Sequence, residues 1–100
     1  MIKHIVMWRL KDDPAGLSKM AAAEKMKAAL EGLADRIPEL HEVEVGVNVE
    51  PSDAAFDVCL YSVFASQAEL DLYQQHPDHQ AVVDFVRSVV SERVVVDYVV

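Results

Sequence analysis

Apolar residues in this chain switch between a spacing of two and a spacing of three to four, and the order of the switches leaves few folds open. From Ile2 to Leu10 the spacing is two. His4, Val6, Trp8 and Leu10 fall on one face of a strand, and Lys3, Ile5, Met7 and Arg9 on the other. Both faces carry apolar residues, so both are expected to be covered. Asp12-Asp13-Pro14 ends the strand. Pro14 suits the first turn of a helix, with Ser18 as an alternative N-cap. Leu17, Met20, Ala23, Met26, Leu30, Leu33 and Ile37 then recur at helical spacing until Pro38, with Met20 and Met26 as core fillers. Alternation returns from Leu40 to Val49, with Glu42 and Glu44 on a wet face. Residues 50–55 turn, and Phe56 to Phe64 reads as a third strand, apolar on both faces. Ser66 and Glu69 form a capping box for a helix reaching about Tyr73. Pro77 interrupts it. A further helix over residues 78–91 buries Val82, Val83, Phe85, Val86, Val89 and Val90, and Val94 to Val100 closes the chain as a strand.

The order β-α-β-β-α-β in 100 residues, with no linker or repeat, predicts one α+β domain over residues 1–100. The expected architecture is ferredoxin-like: a four-stranded antiparallel sheet with two helices on one face. Ile5, Met7, Cys59, Tyr61 and Val63 belong to the other face. The apolar fraction, 52%, lies above the globular norm. An apolar sheet face of that size marks an interface. The expected assembly is a two-fold homodimer packed sheet to sheet, a dimeric α/β barrel.

Charge narrows the partners. A net charge of −8, with 17 acids against nine bases scattered along the chain, argues against nucleic acid and against an anionic membrane. No stretch is long enough to span a bilayer, and MIKHIVMWRL lacks the apolar core and cleavage site of a leader, so a cytoplasmic protein is expected. The single cysteine, Cys59, cannot form an internal disulfide. No Gly-rich phosphate loop and no Ser-His-Asp or Cys-His nucleophile system is present, and no cofactor is expected.

The densest polar-aromatic cluster is YQQHPDH, residues 73–79. An architectural reading has His76 capping the helix that Pro77 starts, Tyr73 packing under the junction, and His79 bonding a backbone carbonyl. A chemical reading has His79 as a base that is neutral near physiological pH and Tyr73 as a donor to a developing oxyanion. His4 shares a strand face with Val6 and Trp8, so it points at the same gap if that face meets the helices. His76 and His79 are three apart, but Pro77 lies between them and no further ligand motif is present, so no metal is expected.

Three blocks, HIVMWRLK at 4–11, IPELHEVEVGVN at 37–48 and YQQHPDH at 73–79, together resemble the stress-responsive dimeric α/β-barrel (Dabb) family across essentially the whole chain. The resemblance implies the dimeric ferredoxin-like barrel. The family includes plant stress proteins and a plant polyketide cyclase that closes an aromatic ring by aldol condensation. The cyclase's catalytic tyrosine and histidine match Tyr73 and His79, and a first-strand pocket histidine matches His4. Another pocket histidine falls on Val58.

These readings converge on a pocket between sheet and helices, walled by Val6, Trp8, Val58, Leu60, His76 and Phe85, that takes a small apolar or aromatic molecule. A cofactor-free cyclase or isomerase would use His79 as base, Tyr73 as oxyanion donor and His4 as orienting group. A purely structural stress or assembly protein is the rival. An enzyme leaves the cavity open with the three side chains turned inwards, whereas a structural protein fills it with Trp8, Phe85 and their neighbours.

Overall fold

The computed structural model describes residues 1–100. The elements are β1 (Ile2–Leu10), α1 (Lys19–Gly32), β2 (Glu42–Val47), β3 (Val58–Phe64), α2 (Gln67–Gln75), α3 (Pro77–Val89) and β4 (Val90–Val99). The strands form one antiparallel sheet in the order β2-β3-β1-β4. The fold is ferredoxin-like α+β. The second helical segment is split into two helices, because the ring of Pro77 cannot continue α2.

Local chemistry sets the boundaries. Ser18, not Pro14, caps α1 by accepting from the Ala21 N–H at 3.0 Å. Pro14 instead opens a short 3-10 turn over Pro14–Gly16. Ser66 caps α2 through the Glu69 N–H at 3.3 Å, and the Glu69 carboxylate reaches back to the Ala65 N–H at 3.2 Å. His76 sits in extended backbone between α2 and α3, and its Nδ1 accepts from the Asp78 N–H at 3.1 Å. An imidazole thus serves as N-cap, with Pro77 in the first turn where a missing N–H costs nothing.

The core lies between the helices and one sheet face, built on Val6, Trp8, Leu10, Met26, Leu30, Leu33, Ile37, Val45, Leu60, Phe64, Leu70 and Tyr73. Met20 is not the core filler its spacing suggests: it is 65% exposed, because the buried stripe of α1 runs through Ala22, Ala23, Met26 and Leu30. On α3, Val86 and Val89 are buried, while Val82, Val83 and Phe85 are half-buried. Val49 lies past the end of β2 and is 95% exposed.

The last strand begins four residues earlier than the alternation of valines indicates. It starts at Val90, opposite Leu10, directly from the end of α3. The register then slips: Arg9 faces Glu92 and Trp8 faces Arg93, which leaves Ser91 as an extra residue. A bulge of one residue swaps the faces of everything beyond it. Glu92, Val94, Val96 and Tyr98 therefore turn to the open sheet face, and Arg93, Val95, Asp97 and Val99 to the helix side. That swap brings two charged residues of β4 to the same side as His4.

Candidate functional site: a cavity between the sheet and the third helix

A cavity of about 350 Å3 opens between the sheet and α3. Its floor is His4, Val6 and Trp8 from β1, Leu60 from β3, and Val90 and Arg93 from β4. Leu30 closes it from α1, and Gln74, His79, Gln80, Val83, Val86 and Arg87 form the roof. The walls are mainly apolar, with a few polar groups converging on the space, the usual make-up of a small-molecule site.

His4 is buried at 3% exposure. Its Nδ1 is paired with the Asp97 carboxylate, which stands directly opposite in the β1–β4 register. The carboxylate accepts only, so the proton of this bond sits on Nδ1 and fixes the ring's orientation. Nε2 has no protein partner. The strand below is held as well: the Ser62 hydroxyl donates to the His4 carbonyl at 2.9 Å.

His79 reaches the cavity from the first turn of α3. Its Nδ1 lies 3.2 Å from the Gln74 carbonyl, which is acceptor-only, so Nδ1–H donates and Nε2 carries the lone pair. Burial pulls the imidazole below its ordinary pKa. The Gln74 carbonyl opposes that shift, and nearby His4, Arg93 and His76 reinforce it. The ring is accordingly neutral at physiological pH. Two imidazoles from different elements thus line one cavity, each tied through Nδ1 and each with Nε2 free of a hydrogen bond to the protein.

Tyr73 stands behind this pair rather than on the cavity wall. Its ring packs between Phe64, at 4.9 Å, and His79, at 4.3 Å. The side chain is fully buried, and its hydroxyl has no hydrogen-bond partner. Burial pushes its pKa up to about 12, so the hydroxyl keeps its proton.

Of the residues singled out from the sequence, the fold brings His4, His79, Val6, Trp8 and Leu60 to the cavity. Tyr73, Val58, His76 and Phe85 lie outside its lining. Val58 is buried opposite Trp8 in the β1–β3 register but does not reach the lining. His76 is engaged as the cap of α3. Phe85 points towards α1, where the Lys25 ammonium lies 4.5 Å from its ring centre. Trp8 walls the space without filling it. Asp97, Arg93, Arg87 and Leu30 were not foreseen. Alternation could not find the first two, because valines occupy both faces of β4 and the bulge at Ser91 decides which face is which. No group of three or more His, Cys, Asp or Glu side chains stands close enough to hold a metal ion, and no helix is long and apolar enough to cross a membrane.

A ferredoxin-like sheet carrying a helix-covered cavity defines a class of small α/β barrels. Within it, the Stress responsive A/B Barrel Domain family matches residues 2–100, and the chain belongs to that family. Among solved structures, a dimeric ferredoxin-like protein of unknown function from Bacteroides fragilis is 31% identical, with a TM-score of 0.85 over 97% of this chain and 93% of that one. A Dabb family protein from Mesorhizobium loti is 25% identical, with a TM-score of 0.78 over 98% and 94%. The hydroxynitrile lyase of Passiflora edulis shares the fold at 23% identity, with a TM-score of 0.83 over 99% and 92%. No curated protein matches the chain.

Proposed function

We propose that this protein is a cytoplasmic homodimer that binds a small apolar or aromatic molecule in the cavity between its sheet and α3. One observation carries the reading: His4 and His79 present unpaired Nε2 atoms to a space of about 350 Å3 whose walls are otherwise mostly aliphatic. Packing alone would close such a space, since interiors approach crystal density. The Bacteroides fragilis relative is dimeric, and the open sheet face here offers an apolar surface for such an assembly.

The same geometry favours a second, catalytic reading. A neutral imidazole with its lone pair facing a ligand removes a proton from a carbon acid or a hydroxyl without a cofactor. His4 has the carboxylate that stabilises an imidazolium once the proton arrives, and His79 has a carbonyl in the equivalent place. In this account either ring is the base, and the other hydrogen-bonds the substrate's oxygen. Tyr73 backs the His79 ring from outside the cavity lining, so in this account it positions that ring. The Passiflora edulis protein of the same fold is a hydroxynitrile lyase, which is consistent with an enzymatic reading of this fold.

Trp8 is the chain's only tryptophan and lines the cavity, so its fluorescence reports occupancy. Naphthol is expected to change that emission saturably in the wild type. Val83→Phe, which fills the cavity from a half-buried position, is expected to abolish the change while the protein stays folded. Equal binding by the two proteins would rule the cavity out as the site.

A further inference from the structure

Arg93 and Arg87 stand out against the charge balance of the chain. Acids outnumber bases by 17 to nine, yet neither guanidinium takes part in any ion pair or hydrogen bond of the protein. Glu92, the neighbouring acid, is turned to the opposite sheet face by the bulge and is engaged by Arg9 at 3.1 Å. Asp97, the acid on the same face as Arg93, is engaged by His4. Both arginines line the cavity. Arg93 is also close enough to His79 to disfavour a second positive charge on that ring.

Their position along the sheet gives the cavity two poles. Asp97 and His4 face each other at one end, Val95 and Val6 come next, and Arg93 faces Trp8 at the other. Four residues along a strand separate the poles by about 13 Å. Between them lie Val6, Leu60, Val83 and Val86. A ligand with an apolar body, a proton-exchanging group at the histidines and an anionic group at the arginines satisfies the two histidines and both arginines of the wall. Guanidinium forks match carboxylates in shape and charge.

Building on the proposed pocket, we infer that Arg93, assisted by Arg87, is a carboxylate subsite, and that the ligand is an apolar or aromatic carboxylic acid. The arginines sit at the open end and are solvent-exposed when the pocket is empty, so the anion enters with its charge towards water and its body towards Trp8.

Calorimetry with naphthalene carboxylate and its neutral carboxamide tests this in the full-length protein. The wild type is expected to prefer the carboxylate by about tenfold or more, as suits a charge-assisted pair at a partly wet site. Arg93→Gln is expected to weaken carboxylate binding more than carboxamide binding and so remove the preference, and Arg93→Lys to restore part of it. Equal affinities in the wild type would overturn the subsite and leave the pocket standing. A preference that survives in both Arg93→Gln and Arg87→Gln would also overturn it. Failure of both compounds to bind would overturn the pocket and the subsite together. Unchanged melting temperatures in the variants separate loss of recognition from loss of fold.

Discussion

Single residues divide between holding the fold and facing the cavity, and Tyr73 shows how to tell the two apart. A buried hydroxyl without a partner costs roughly 1–3 kcal/mol, and this one has none. Tyr73→Phe removes the hydroxyl and keeps the ring between Phe64 and His79. It is expected to raise stability by about 1 kcal/mol, read as a higher melting temperature at fixed protein concentration. A lower melting temperature would mean that the hydroxyl has a partner in solution. His79 combines the two readings of the YQQHPDH block. It braces the kink through the Gln74 carbonyl, and it also faces the cavity. That carbonyl accepts from the Gln80 side chain too, at 2.7 Å, so it is not orphaned when His79 is removed. The residue types of this block were legible in the sequence. The partner of His4 was not, because Asp97 lies 93 residues away and reaches it only through strand pairing.

Elements show which parts of the sequence speak for themselves. Period and capping placed β1, α1, β3 and both halves of the second helical layer, since Ser66, Glu69 and Pro77 act on their immediate neighbours. The start of β4 was not legible, since helix α3 passes into strand without a turn residue. The two sheet edges also differ in a way that no local signal shows. On β2, the Glu31 carboxylate accepts from the Val45 N–H at 3.0 Å, and the Lys27 ammonium donates to the Val45 carbonyl at 2.6 Å and to Glu31 at 2.8 Å. One turn of α1 thus satisfies the N–H and C=O of Val45, which an added strand would otherwise use. The hydrogen bond from Lys27 first, and that from Val45 second, lower the pKa of the Glu31 carboxyl. The contribution is therefore present above the carboxyl's unfolded value of about 4.5, and is lost as pH falls through its lower folded value. Both side chains are more than a third exposed, so solvent screening holds it to about 1 kcal/mol or less. Glu31→Ala is expected to speed hydrogen exchange of the Val45 amide selectively, with little change at the β1 amides. Unchanged protection at Val45 would show that the clamp is not formed in solution.

At the scale of the molecule, the open sheet face decides the assembly. Ile5, Met7, Cys59, Tyr61, Val94, Val96 and Tyr98 share it, with Met7 at 40% and Val96 at 53% exposure in the single chain. Glu42 and Glu44 lie at its β2 margin, where the reading of a wet strand face placed them. Met7→Glu sets a charge in the middle of the face. Sedimentation is expected to show a dimer for the wild type and a monomer for this variant, and a dimer that persists in Met7→Glu would place the interface elsewhere. The layered fold and its apolar face were readable from periodicity alone. The cavity was not, because its shape depends on how far α3 stands from the sheet, and spacing along a chain carries no such distance. The central claim is that His4 and His79, and not the other two histidines, meet a ligand there. The direct measurement is nitrogen NMR of the four imidazoles during titration with naphthalene carboxylate. The Nε2 signals of His4 and His79 are predicted to shift together and saturate, while His41, on the surface beside Glu69, and His76, the cap of α3, stay still. Shifts confined to His41 or His76, or no saturable shift at His4 and His79, would contradict the account.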